Sequence, residues 1–508
     1  MSRKKLVSMM LISLFIIFAL TLTGQAQEGE KETLTVAQVA DITTLDPQKA
    51  NDIYSANVMT QIYNKLVKMD KEMNIVGDLA KSWENPDDNT WIFNLKEGIK
   101  FHNGQDFTAE DVKFTIERLK DPSTASPGKW LVEKITEVEV VDDYTIKLIT
   151  NEPFAPLLSN LARYEMFILN KEAVEKYGEN YADNPVGTGP FMFEEHIYGD
   201  KVILSKFEDY YKGPSDIEEI VYRAIPEDAT RVIEIESGGI DIMYNMPVQE
   251  LDRLGDAKNL NVIETLGQST LYMGFNFKVE PFDNKKVRQA LNYAVDKKGI
   301  IDAVFYGKAN PSYGPLSPSI WGFDKTLEPA YPYNPEKAKK LLEEAGYPDG
   351  LEITAFTDPR TTRKNVTELV QAYLSQIGVK VDIQTMEWSR FLSETASGIN
   401  GMFILGWTGT GDADGGLYPR FHSSNMNSSN RHNWATDELD TLLEKGRTTV
   451  NTEERKEIYK EAQRYIIEEA SDIFIAVTEN IAVATNNIKG FELYPSNINP
   501  LYNVKIEK

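Results

Sequence analysis

The residues best suited to chemistry in this chain lie in one short stretch. An apolar run, Met402, Phe403, Ile404 and Leu405, leads into GWTGTGDADGG at 406–416, a glycine-rich segment with one tryptophan and two carboxylates. Glycines let backbone amides and carbonyls come close to a bound molecule, so Trp407, Thr408, Gly409 and Thr410 are candidate contacts. A carboxylate in a partly dry cleft holds an ammonium group through charge-assisted hydrogen bonds, which makes Asp412 or Asp414 a candidate amine anchor. A calcium loop would need a bidentate Glu at its twelfth position, and counted from Asp412 that position is Ser423. The competing reading is a solvated acidic turn. A second candidate is TDPRTTR at 357–363, between an apolar strand and a helix. Loops that follow strands in α/β lobes point into the cleft, and Arg360 there could grip a carboxylate bidentately. The alternative is a surface arginine beside a helix start, where its charge gains nothing from the dipole. Trp321, Trp388 and Trp434 could stack on sugar rings, although packing is the commoner use of such residues.

Catalytic patterns find little support. The chain has no Gly-x-Ser-x-Gly elbow, His-Glu-x-x-His pair or Gly-Lys-Ser/Thr phosphate loop. Gly187 and Gly189 are followed by Pro190, which removes an amide that a phosphate loop would use, so a tight turn is expected there. With no cysteine, disulfides, thiolate catalysis, Cys-ligated zinc and iron–sulfur clusters are excluded together. The four histidines, His102, His196, His422 and His432, lack close metal-ligand spacing. No cofactor and no metal site are expected.

These groups must be positioned by more than one core, because 508 residues exceed what a single core usually spans. Short strands and helices alternate without a long linker, which predicts lobes that share strands, with the chain crossing between them. The segment 34–39 reads as a strand, as does 91–95, with 99–101 expected to pair with it after a turn. Thr108 should cap a helix with Glu110 and Asp111 in its first turn. Asn334 and Pro335 should open another helix that Gly346 ends. A third is expected from about 365 to 377, stopped by Gly378 and followed directly by the strand 379–383. Helix, glycine, strand is α/β grammar.

Lys and Arg total 54 against 78 Asp and Glu, a formal charge of −24, so phosphate backbones should repel this protein and nucleic acid is not an expected partner. Arg3, Lys4 and Lys5 precede an apolar run at 6–22, and small residues end at Ala26. That layout predicts a secretory signal cut after Ala26, the competing reading being a retained anchor. No cysteine follows the run, so a lipoprotein is not expected. The mature chain should be exported, to a periplasm, without stable membrane insertion.

Several stretches together resemble one family. The longest is WIFNLKEGIKFHNGQDFTAEDV at 91–112. Around it stand Leu45-Asp46-Pro47, LAKSWE at 79–84, NPVGTGPF at 184–191, VRQAL at 287–291 with AVD at 294–296, and YNPEKA at 333–338. They resemble the family 5 extracellular solute-binding proteins, the oligopeptide, dipeptide and nickel type of ABC-importer receptor. The resemblance implies an α/β, two-lobed periplasmic binding protein fold, a hinged flytrap with an additional domain inserted in the first lobe. On that template residues 1–26 are signal, the first lobe takes 33–74, 184–278 and 483–508, the additional domain 75–183, and the second lobe 279–482. It also implies a monomeric receptor, not an enzyme, that delivers a short peptide or peptide-like solute to the permease subunits of an ABC importer. An oligosaccharide is the alternative ligand and a chelated nickel ligand a further one; a secreted hydrolase is the competitor from another class. In peptide receptors of the family an aspartate three residues after the Trp of this loop holds the peptide amine. Here that position is Thr410, and the acids lie five and seven residues beyond Trp407.

Overall fold

The computed structural model describes residues 32–399 and 401–507. The signal segment, with its cut after Ala26, lies outside the described residues. No helix among the described residues is long and apolar enough to cross a membrane.

One large mixed sheet runs through the molecule. Its strands lie in the order Val379–Thr385, Leu351–Thr357, Met402–Trp407, Leu260–Phe275, Asp472–Thr485, Ile242–Met243, Thr33–Gln38, Glu219–Ala224, Lys201–Lys206 and Phe191–Ile197. Ala309–Pro311 adds a short pairing to Asp472–Thr485. Two long antiparallel strands form its middle: Leu260 pairs with Thr485 at one end and Gly274 with Asp472 at the other. Their first-lobe ends pack beside Leu34, Val36, Ile220, Ala482 and Ala484, and their other ends beside Met273, Phe275, Ile404 and Ile473. The register breaks between Leu266 and Thr270. Such a bulge bends and twists a strand locally. Gly267 permits it, since a Cβ there would stand 2.8 Å from the Thr478 carbonyl oxygen.

Each half of the sheet has a parallel set. In the first lobe Thr33–Gln38 pairs in parallel with Glu219–Ala224 and Ile242–Met243. In the second, Leu351–Thr357 lies parallel to Val379–Thr385 and Met402–Trp407. Ligands of open α/β sheets bind beyond the carboxyl ends of such strands, so those ends place the candidate residues.

The third body is a four-stranded antiparallel sheet, Ala80–Asp87, Thr90–Leu95, Thr145–Thr150 and Ile135–Asp142, covered by the helix Ala109–Lys120. Phe93, Leu95, Ile116, Ile146 and Leu148 form its core, each such side chain contributing about 2 kcal/mol of burial. Thr108 stands at the expected N-cap, where it and Asp111 form a capping box. The expected pairing of 91–95 with 99–101 is corrected. Gly98, at φ +71°, turns the chain away, the Phe101 amide donates to the Gln105 carbonyl and the Phe101 carbonyl accepts from Gly104, both at 2.8 Å and within one loop, and Ile99 and Phe101 become buried plugs. The partners of Thr90–Leu95 are the flanking strands.

The helix Pro335–Glu344 starts at Asn334, whose side chain accepts from the Lys337 amide. The third helix, Thr361–Ser375, begins four residues earlier than expected, at the TDPR turn. A further difference bears on function: the acidic loop ends at Gly411, and Ala413–Phe421 is a helix despite Gly415, Gly416 and Pro419. Asp412 caps it, accepting from the Asp414 amide at 2.9 Å. The glycines are required by packing, because a Cβ on Gly415 would meet Thr410 Oγ1 at 2.4 Å and one on Gly416 would meet Leu316 at 2.2 Å.

Candidate ligand-binding site

Three parallel strands of the second lobe end side by side, and their following residues form one wall. After Thr357, Asp358 is fully buried and collects two arginines: Arg360 donates from Nε at 3.0 Å and Arg363 lies 2.5 Å away through Nη1. Burial opposes the Asp358 charge, but the bonds from Arg360 and both guanidinium charges outweigh it, holding the carboxyl below its usual range. Trp388, at the start of the helix after the neighbouring strand, lies under both guanidiniums, at 4.1 Å from Arg360 and 5.2 Å from Arg363. Two cations thus share one carboxylate and one indole face.

After the third strand come Trp407 and the loop. The Trp407 indole donates to the Gly415 carbonyl at 2.9 Å, which clamps the loop on the following helix. Thr408 is exposed and its hydroxyl bonds Ser269, beside the bulge of the long strand. Asp412 and Asp414 point the other way. Both Asp412 oxygens receive Arg455, at 2.7 Å each, and both side chains are buried. Asp414 lies 3.1 Å from Arg447 Nε, without an aligned hydrogen bond. The Tyr459 hydroxyl reaches Asp414 at 3.5 Å. Burial pushes the Asp414 carboxyl up to about 6, Arg447 opposing and Asp412 assisting. Arg447 also stacks on Tyr418, and its carbonyl accepts from Ala155 of the third body at 2.8 Å.

A cavity of about 410 Å³ opens where this loop meets the first lobe. Thr408, Gly409, Thr410 and Gln268 line one side; Asn64, Lys65, Lys68, Asp78, Tyr210 and Lys212 line the other. Gly411, at φ +87°, lies so near that a Cβ would stand 2.5 Å from the Met69 sulfur. Asp78 is buried, receiving Asn64 at 3.0 Å and the Tyr211 hydroxyl at 3.2 Å. Of the residues singled out from sequence, Thr408, Gly409 and Thr410 line this cavity, whereas Trp407, Asp412, Asp414 and Arg360 do not. The lysines and tyrosines of the opposite wall carried no sequence signal, because they come from segments around 65, 164, 211 and 495 that only the fold assembles. The histidines lie elsewhere: His102 is packed between Gly187 and Gly189, burial lowering it to about 4, and His432 is paired with Asp472.

Comparison with known proteins agrees with the crossing sheet and its cleft. The chain belongs to the bacterial extracellular solute-binding proteins, family 5, whose model matches residues 74–428. It is 35% identical over 477 residues to heme-binding protein A of Haemophilus influenzae, covering 88% of this chain and 87% of that one. It is 33% identical over 474 residues to the glutathione-binding protein GsiB of Salmonella typhimurium, covering 91% and 92%. Among solved structures, HbpA2 from Haemophilus parasuis superposes with a TM-score of 0.88 at 29% identity, over 94% of this chain and all of that one. DppA from Helicobacter pylori, in complex with the peptide STSA, superposes with a TM-score of 0.79 at 30% identity, over 94% and 98%. The fold is thus the two-lobed periplasmic binding protein fold.

Proposed function

We propose that this chain is the substrate-binding protein of an ABC importer, taking a short peptide or peptide-like solute between its lobes and handing it to the permease subunits. The observation that carries the reading is the cavity shared by the first lobe and the second-lobe loop at Thr408, Gly409 and Thr410. A solute seated there touches both lobes, and a ligand that binds the closed arrangement better than the open one drives closure. The strands Leu260–Phe275 and Asp472–Thr485 serve as the hinge, with the first lobe at 33–74, 184–278 and 483–508, the additional domain at 75–183 and the second lobe at 279–482. Relatives named for glutathione, heme and dipeptides, and a neighbour holding STSA, support a compact solute with peptide character.

In this reading Thr408, Gly409 and Thr410 present backbone and hydroxyl contacts, Trp407 holds their loop on the following helix, and Arg360 stays with Asp358 outside the cavity. Asp412 and Asp414 act through position, tying the loop to Arg455 and Arg447. The oligosaccharide alternative gains nothing from Trp388, whose ring already lies against two guanidiniums. The receptor works as a monomer in the periplasm after cleavage behind Ala26, and is not an enzyme.

Calorimetric titration with glutathione, di- to tetrapeptides and trisaccharides tests the reading. Saturable binding of one peptide class is expected, and a ligand at 100 times its Kd should add about 2.7 kcal/mol of stability. Binding of saccharides alone, or turnover of a bound peptide, would overturn it. N-terminal sequencing of envelope material should begin at Gln27; intact Met1 would restore the anchor.

A further inference from the structure

The charge of the cavity opposes that of the chain. The protein carries −24 formally, yet Lys65, Lys68 and Lys212 line this cavity, and Lys68 and Lys212 share Asp78. Lys212 Nζ lies 3.4 Å and Lys68 Nζ 3.6 Å from Asp78 Oδ1, beyond the 2.7–2.9 Å of a strong charge-assisted bond. Asp78 is already occupied by Asn64, the Lys65 amide and Tyr211. Lys65 Nζ donates to the Ala162 carbonyl at 2.7 Å, and Lys96 Nζ approaches the Asp78 carbonyl from behind at 2.5 Å. The other charged groups on the wall are matched. Glu492 holds Lys71 at 2.6 Å, and Arg163 is held by Glu165 at 2.7 Å.

Two ammonium groups, Lys68 and Lys212, therefore share one carboxylate in a partly dry space, with the Lys65 ammonium held beside them by the Ala162 carbonyl. Burial lowers the Lys212 ammonium, Asp78 opposes, and Lys68 and Lys96 lower it further; burial also brings Lys65 down to about 8. A second anion would relieve this crowding. Lys68 and Lys212 are the groups free to meet it, since each side chain keeps about a third of its surface exposed.

We propose that Lys68 and Lys212, backed by Lys65, form an anion subsite that makes this receptor select solutes bearing a carboxylate on the part seated against the first lobe. The inference rests on the receptor reading above and narrows it from peptide-like solutes in general to acidic ones. A cavity wall of one sign raises the local concentration of ligands of the other, and a like charge placed there is strongly disfavoured.

The test is native mass spectrometry of the purified protein with an equimolar mixture of Ala-Glu-Ala, Ala-Gln-Ala, Ala-Lys-Ala, glutathione, citrate and maltotriose. Wild type should retain Ala-Glu-Ala or glutathione over the Gln and Lys tripeptides by about tenfold or more. Lys68→Met with Lys212→Met should reduce that preference to below about twofold, whereas Lys68→Arg with Lys212→Arg, which keeps the charge, should retain most of it. The arginine pair also supplies a readout should the methionine pair fail to fold. Equal or better retention of Ala-Gln-Ala or Ala-Lys-Ala by wild type would overturn the subsite while leaving the peptide reading intact. An undiminished preference in the methionine pair would overturn it as well. Retention of citrate without any peptide would support the anion subsite and overturn the peptide reading. Retention of nothing, or of maltotriose alone, would overturn both.

Discussion

Asp412→Asn separates a positioning carboxylate from a ligand anchor. Asn is as good a helix cap as Asp, so the cap over Ala413–Phe421 survives and the perturbation falls on Arg455. That guanidinium is buried, donates to both Asp412 oxygens at 2.7 Å, and otherwise donates to the Gly446 carbonyl at 2.7 Å and the Tyr459 hydroxyl at 3.3 Å. Removing one partner of a buried pair costs about 3–5 kcal/mol because the remaining charge is left uncompensated. Asp414→Asn should behave oppositely. With its carboxyl raised to about 6, ionised Asp414 is held uphill by about 3 kcal/mol at neutral pH, and its amide should change stability by less than about 1 kcal/mol or raise it. The sign with pH follows. Between an unfolded value near 4 and about 6 the folded state holds a proton that the unfolded state has released, so stability falls as pH rises through that window. Asp414→Asn should flatten this slope. Urea unfolding of both variants at pH 5 and 7.5, together with Asp412→Asn/Arg455→Met, is the assay. Equal losses in the two single variants, or no recovery in the double variant, would refute the assignment of Asp412 to Arg455.

Other outcomes follow from the same geometry. Gly415→Ala should keep the helix but displace Thr410, since its Cβ would meet Oγ1 at 2.4 Å and the amide nitrogen at 2.7 Å; calorimetry should show peptide affinity at least about tenfold weaker, and unchanged affinity would remove the loop from the site. Lys65, lowered to about 8 by burial, should make stability rise with pH from about 8 to 10.5, because the unfolded state there binds the extra proton. Lys297, also lowered to about 8 by burial, adds a slope of the same sign, so the comparison with Lys65→Met isolates the first group; identical slopes would count against it. Small-angle scattering should show a smaller radius of gyration with a saturating peptide than without, and an unchanged radius would speak against hinge closure.

Local order was largely legible in the sequence. Asn334, Pro335 and Gly346 act within a few residues of one another, so that helix could be read with its cap, and the strands near 351, 379 and 402 follow from apolar runs bounded by glycine or a turn. Repeated phrases along the chain carried the family and hence the fold. The glycine-rich character of the loop at 408–410 was legible too, and the fold places that loop on the cavity wall. Three things were not. The segment 99–101 looks like a strand, but its partners are set by which strands flank Thr90–Leu95. Gly415, Gly416 and Pro419 argue against a helix locally, and only Thr410 and Leu316, pressed against the missing Cβ atoms, make those glycines necessary.

Above all, sequence determines that Asp412 and Asp414 carry charge but not where the charge is spent. Arg447 and Arg455 lie more than thirty residues away, on helices that the tertiary packing brings against the acids, and there desolvation turns candidate anchors into buried partners. The lysines at 65, 68 and 212 are unremarkable in a chain with 54 basic residues. Their significance is decided by folding, which brings them to one wall around Asp78, because Coulomb interactions depend on distance and burial and sequence separation fixes neither.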